Sequence, residues 1–289
     1  MNLQCKDNNI FPKNNSFLSK FDIFSGARYN LLTNFLTFVQ TKIINSMAEK
    51  TLYDVRVEPQ DVDFTLRATL ASLGGTILNI AGTDAQTKGF GVDVLGEQNL
   101  SWVLSRFAME FDSRPQQYSR YKVATWISDY NRVLSTRNFT LTDAGGCEFG
   151  RAVSQWCLLD LTTRSAVDMS ATAGMHSQWV VDAPPPAERP RKIRPLTEAA
   201  AEMTHRVAYS DIDFNRHMNT MRYIELMIDM LPVELPSGNG RVRFDVNFMH
   251  ESVLGQMLMV AAAAEGDAWR FRVTADGGTE CLRAEICFG

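Results

Sequence analysis

Apolar positions along the chain fall into two periodicities, and the order of the two repeats. Leu66, Leu70, Leu73, Ile77, Leu78 and Ile80 recur mostly at three- and four-residue intervals, which predicts one apolar face of a helix. Strand-like runs follow at Trp102–Phe111, Tyr121–Ser128, Val133–Thr142 and Glu148–Leu161. The pattern then returns. Met218, Met221, Ile224, Leu226, Met227, Met230 and Leu231 form a second helical face, followed by runs at Val242–Met249, Met257–Ala264, Trp269–Thr274 and Cys281–Phe288. Asp61-Val-Asp-Phe64 opens the first copy and Asp211-Ile-Asp-Phe214 the second. Each copy reads as a strand, a long helix and an antiparallel meander. That is an α+β arrangement, and a repeat of this length means two tandem domains rather than a solenoid.

Composition divides the chain further. Five of its ten prolines lie between Pro184 and Pro195, in PPPAERPRKIRP, an extended and semi-rigid sequence that reads as a basic linker. The expected organisation is an N-terminal extension over residues 1–46, a first domain over 47–183, the linker over 184–195 and a second domain over 196–289. Residues 1–46 differ from the rest: Asn, Lys, Phe, Ile and Tyr supply 23 of them, and Gly, Ala, Arg and Pro only four. Leu32, Phe35, Leu36, Val39 and Ile43 share one helical face there. Three readings stand side by side: a translation start assigned too early, a targeting segment, and a helical extension of the fold.

Charge and motifs exclude several functions. A net charge of −4 and a pI near 5.6 argue against general nucleic-acid binding. The longest apolar run, Met257–Ala264, falls far short of the roughly 20 residues of a membrane span. Five cysteines without a C-x-x-C pair fit neither a zinc ribbon nor a secreted disulfide scaffold, so a reducing, cytoplasm-like compartment is expected. There is no G-x-S-x-G elbow, no G-x-x-x-x-G-K-[ST] loop and no H-E-x-x-H pair; Gly89-Phe-Gly91 lacks the third glycine of a dinucleotide site. Asp211, Asp213, His217 and His250 offer metal-ligand chemistry but no close pair at helical spacing.

The densest polar cluster is Ser210-Asp-Ile-Asp-Phe-Asn-Arg-His-Met-Asn219, backed by Arg222 and Tyr223. Asp and Asn before an apolar helix are ordinary capping residues. The two copies differ, however: Thr65 and Arg67 stand where the second copy has Asn215 and His217. Polar chemistry beyond capping therefore belongs to the second copy.

The segment YSDIDFNRHMNTMRYIE resembles the signature of the acyl-acyl carrier protein (acyl-ACP) thioesterases. The likeness extends to Lys88-Gly-Phe-Gly91, Leu100–Arg106 (similar to LIWVVTR of the plant enzymes), Tyr121–Trp126 and Ser154–Asp160, and covers Thr51 to Phe288. It implies a tandem hotdog fold, in which each long helix is wrapped by an antiparallel sheet. It also implies a catalytic set of Asp213, Asn215 and His217, from a D-x-N-x-H motif, with Glu251 as the second acid. Plant members carry cysteine directly after that glutamate, whereas this chain has Ser252, so a cysteine nucleophile at that position is excluded.

The implied reaction is hydrolysis of fatty acyl-ACP to free fatty acid and holo-ACP, with no metal or organic cofactor. Glu251 is the expected general base, with Asp213 next; Asn215 would hold water or carbonyl, and His217 would orient a carboxylate or protonate the leaving sulfur. A carboxylate beside an acyl tunnel should be desolvated, and the helix starting near His217 should offer free N–H groups to an oxyanion. The first domain would bind the acyl chain, with Ala68, Ala71, Ser72, Gly74 and Gly75 either leaving room for it or serving tight helix packing. The implied partner is an acyl carrier protein, with Arg189, Arg191, Lys192 and Arg194 either a docking patch for it or simply a solvated basic linker; a homodimer is compatible with the sequence. Alternatives are a hotdog acyl-CoA thioesterase and a non-catalytic acyl-thioester-binding module. The compartment is cytoplasmic, or plastid-like if the extension is a transit peptide.

Overall fold

The computed structural model describes residues 48–169 and 177–289. The extension, with its face of Leu32, Phe35, Leu36, Val39 and Ile43, lies outside them. Strand β1 (Thr51–Arg56) leads through a short 3-10 turn to α1 (Leu70–Thr87) and α2 (Val92–Glu97). The first meander follows as β2 (Leu100–Phe111), β3 (Arg120–Tyr130), β4 (Ser135–Asp143) and β5 (Glu148–Asp160), with β6 (Ser165–Ala166) paired to β5. The second half repeats the order: β7 (Ala201–Arg206), a 3-10 turn, α3 (Thr220–Ile228), α4 (Glu234–Ser237), then β8 (Val242–Phe248), β9 (Met257–Glu265), β10 (Ala268–Ala275) and β11 (Thr279–Phe288).

The strands form one sheet in the order β1-β3-β4-β5-β2-β8-β11-β10-β9-β7. Every pairing is antiparallel, and β2 against β8 is the seam between the halves. Within it Glu110 faces Arg243 and Ala108 faces Asp245. This is the tandem hotdog architecture expected from the sequence. Both helices start later than the apolar spacing predicts, because Leu66 and Met218 belong to the loops before them. Thr69 caps α1, its Oγ1 accepting the Ser72 N–H at 3.0 Å, and Asn219 caps α3, its side chain accepting the Met221 N–H at 2.8 Å. Leu70, Leu73, Ile77 and Ile80 of α1 join Tyr223, Ile224 and Met227 of α3 in one core with Phe107, Phe139, Phe244 and Phe271 of the sheet.

The glycines of α1 resolve one alternative. A Cβ on Gly74 would meet Met221 Sδ at 3.0 Å and Met109 Sδ at 3.3 Å, so this glycine serves close helix packing. The proline-rich segment is more than a tether. Arg191 donates its N–H to Asp245 Oδ1 and Ile193 its N–H to Asn247 Oδ1, both at 2.9 Å, while Asn247 Nδ2 donates to Arg191 O at 2.8 Å. Ile193 and Leu196 are buried. Side chains of β8 thus supply the hydrogen bonds that the extended segment cannot make to itself.

Candidate active site

The motif Asp213–His217 folds into a tight loop because one carboxylate oxygen organises it. Asp213 Oδ1 accepts the Asn215 N–H at 2.8 Å and the His217 N–H at 3.3 Å, and the Asp213 N–H reaches His217 O at 2.8 Å. Arg216 takes the left-handed conformation at φ 65. The first half builds the same loop with Asp63, whose Oδ1 accepts the Thr65 N–H at 2.8 Å and whose Leu66 sits at φ 59. A shared scaffold therefore presents different chemistry in each half.

The second element of the site is the loop between β8 and β9. His217 bridges Val253, and the Met218 N–H donates to Ser252 O at 2.8 Å, which brings the His217 side chain to Glu251. Nε2 of His217 lies 3.4 Å from Oε1 of Glu251. In the first half Arg67 bridges Gln116, so Arg114 stands two residues before the bridge, as Glu251 does. Arg114 is buried and donates to Asp63 Oδ2 at 2.6 Å and to the carbonyls of Ser237 and Gly238. There the loop is sealed by an ion pair; in the second half it leaves a histidine–carboxylate pair open to solvent.

Asp211 lies beneath this loop. Burial alone would raise its carboxyl, but hydrogen bonds from the Ala208 N–H, His205 and Arg222 hold it below the usual carboxylate range. It ties β7 and α3 to the motif. Ser252 is fully buried with its Oγ 3.2 Å from Cys281 Sγ, and burial pushes the Cys281 thiol up. Neither group is placed or poised as a nucleophile. The Tyr223 hydroxyl is also buried; it lies beside Ser252 without hydrogen-bonding geometry, and burial raises its phenol.

Two sequence-based expectations are corrected. Helix α3 begins three residues after His217, and its approach offers few free donors: the N–H groups of Met218, Asn219, Met221 and Arg222 go to Ser252 O, Asp211 O, Asn219 Oδ1 and Asn219 O. Glu251 is not buried, its side chain being 38% exposed. Asn215 is exposed and its amide bonds no described residue, so it remains available to a ligand. Among the described residues no three His, Cys, Asp or Glu side chains group as a metal site, and no helix is long and apolar enough to cross a membrane. A cleft of about 450 Å³ elsewhere is lined by Glu110, Arg151, Arg191, Arg241 and Arg243, a charged lining foreign to an acyl chain, and contains none of the four residues.

A residue that the sequence did not single out also reaches the site. Arg164, in the turn between β5 and β6, donates from Nη2 to Glu251 Oε1. Nothing local in Thr162-Thr163-Arg164-Ser165 signals this, because the contact spans 87 positions.

The strand order, with one long helix in each half, is that of a tandem hotdog protein, and comparison with known proteins specifies the family. The acyl-ACP thioesterase N-terminal domain matches residues 48–173 and the acyl-ACP thioesterase C-terminal domain residues 195–289. An acyl-ACP thioesterase structure from Bacteroides thetaiotaomicron is 34% identical with a TM-score of 0.75, over 83% of this chain and 98% of that one. A 12:0-ACP thioesterase from Umbellularia californica shares the fold, with a TM-score of 0.75 at 18% identity over 83% and 97% of the two chains. The oleoyl-acyl carrier protein thioesterase 2, chloroplastic, of Arabidopsis thaliana is 24% identical over 197 residues, 62% of this chain and 53% of that protein. The chain spans about half the length of the curated plant relatives it matches. It belongs to the acyl-ACP thioesterase family.

Proposed function

We propose that this protein hydrolyses fatty acyl-ACP, releasing free fatty acid and the carrier's thiol. The observation that carries the proposal is the approach of His217 Nε2 to Glu251 Oε1 at 3.4 Å, in the segment matched by the family's C-terminal domain. Glu251 takes a proton from water, whose oxygen attacks the thioester carbonyl; the C–S bond then breaks, and a proton passes to the sulfur through His217. Asn215 holds the carbonyl or the water. Asp213 serves the loop, since Oδ1 already accepts two backbone N–H groups, and this favours Glu251 as base. Release of free thiol from acyl-ACPs of graded length, run beside the matching acyl-CoAs, tests the proposal. Faster turnover of acyl-ACP supports it; a preference for acyl-CoA assigns the other carrier, and thioester binding without thiol release assigns a binding module.

Carrier docking falls on the proline-rich segment, in a narrower form than the sequence indicates. Arg189 lies 3.6 Å from Asp129, and Arg191 pairs with Glu188 and Glu285. Lys192 and Arg194 are exposed without an ion pair among the described residues, and they are the cations free to meet an acidic carrier. The double charge reversal K192E/R194E is expected to raise KM for acyl-ACP and flatten its salt dependence, leaving hydrolysis of a small acyl thioester intact. Equal loss on both substrates would contradict docking there.

The hydrolytic unit is assigned to residues 47–289, and the family match begins at residue 48. A chain starting at Met47 is expected to keep the melting temperature and kcat of the full chain; a drop of several degrees would show that the extension packs on the fold.

A further inference from the structure

Glu251 is approached from both halves of the molecule, and both approaches end on one oxygen. His217 Nε2 comes from the second-half motif and Arg164 Nη2 from the first-half turn, each to Oε1. The turn that carries Arg164 is firmly built. Asp160 Oδ1 accepts the Thr162 and Thr163 N–H groups at 2.7 and 2.9 Å, the Arg164 N–H donates to Asp160 O at 2.9 Å, and the Leu161 N–H donates to Asn99 O at 2.9 Å. Arg164 itself sits in the left-handed region at φ 55, where a Cβ is crowded and glycine would be favoured. An arginine held there has Glu251 as its one ion-pair partner among the described residues.

We propose that Arg164 is a positioning residue for hydrolysis. With Oε1 engaged by Arg164 and His217, Oε2 of Glu251 carries no hydrogen bond to a described residue and faces the reaction as the proton acceptor. The first half thus supplies part of the machinery, and hydrolysis depends on the alignment of the two halves across the β2–β8 seam. The inference rests on Glu251 being the base.

The side chains are 51% and 38% exposed, so their pairing contributes little to stability and the substitution should leave the melting temperature in place. Steady-state hydrolysis of acyl-ACP by the wild type, Arg164→Ala, Arg164→Lys, Glu251→Gln and Arg164→Ala/Glu251→Gln makes the test. Arg164→Ala should lower kcat roughly ten- to a hundredfold at unchanged KM, the order expected when a reacting group loses its orientation. Arg164→Lys should recover part of the loss by restoring the cation. In the Glu251→Gln background, removal of Arg164 should cost nothing more. The same fold loss in both backgrounds, or a raised KM at unchanged kcat, would overturn the inference by assigning Arg164 to substrate binding. A fully active Glu251→Gln, or an inactive wild type, would instead overturn the reading of Glu251 and this inference with it.

Discussion

Glu251→Gln is expected to lower kcat by roughly 10²–10⁴, the usual worth of a general base, with little change in acyl-ACP binding. The substitution keeps the shape of the side chain and a carbonyl oxygen for Arg164 and His217, but it removes the carboxylate proposed to take the proton from water. His217→Ala is expected to cost a similar factor, because its Nε2 lies 3.4 Å from Glu251 Oε1 and it is the proposed proton donor to the leaving sulfur. The double variant should lose far less than the product of the two factors, since residues that act as a unit are not additive. Thr65→Ala makes the matched control. Thr65 occupies the Asn215 position in a loop closed by Arg114 and Asp63, and kcat should stay close to wild type. A fully active Glu251→Gln would move the base to Asp213.

Asp84→Ala is expected to produce the largest loss of stability. Asp84 of α1 is 1% exposed; it accepts from Lys88 Nζ at 2.8 Å and from Arg137 Nη1, and Tyr53 OH lies 3.5 Å away. Removing the carboxylate leaves the Arg137 guanidinium, itself buried, without its counter-charge, which costs about 3–5 kcal/mol. At roughly 2–4 °C per kcal/mol for a unit of this size, the melting temperature should fall by about 10 °C. Replacing both partners by apolar residues, Asp84→Leu/Arg137→Met, should be milder, because the buried guanidinium leaves with its counter-charge and only Lys88, 11% exposed, loses its carboxylate.

The same group gives a pH dependence. Burial alone would raise the Asp84 carboxyl, but Arg137 and the hydrogen bonds from Lys88 and Arg137 hold it below the usual range. Its folded pKa is thus depressed, so its contribution is complete above the unfolded value of about 4 and is lost as pH falls toward the folded one. Stability should decline with acid in this window, less steeply in Asp84→Ala. Chemical unfolding between pH 7 and pH 3 measures the difference, and equal slopes would contradict it.

Much of this architecture was legible in the sequence, and its limits have physical causes. The helices and the meander strands could be read from local period. The polar motif could be read because Asn215 and His217 break a likeness that Asp61–Phe64 and Asp211–Phe214 otherwise keep. Strands β1 and β7 gave weaker signals: Thr51–Arg56 and Ala201–Arg206 alternate half-buried with exposed positions at the two ends of the sheet, where little apolar patterning is needed. The seam was hidden, since Glu110 and Arg243 are cross-strand partners only once β2 lies beside β8. The pinned proline segment was hidden too, because its hydrogen bonds come from Asp245 and Asn247, far along the chain. Of the candidate site, Asp213 to His217 could be read as a unit and Glu251 through family resemblance. Arg164 could be read through neither, being an exposed turn residue whose meaning depends on tertiary contact alone.

If water activated at Glu251 attacks the thioester, its oxygen must end in the product. A single turnover in ¹⁸O-labelled water, with protein in excess over acyl-ACP, should therefore release carrier thiol stoichiometrically and leave one labelled oxygen in the free fatty acid formed in that first turnover. Bound acyl-ACP that releases no thiol would contradict hydrolysis, and first-turnover fatty acid without label would show that a carboxylate of the protein, rather than water, attacks the thioester.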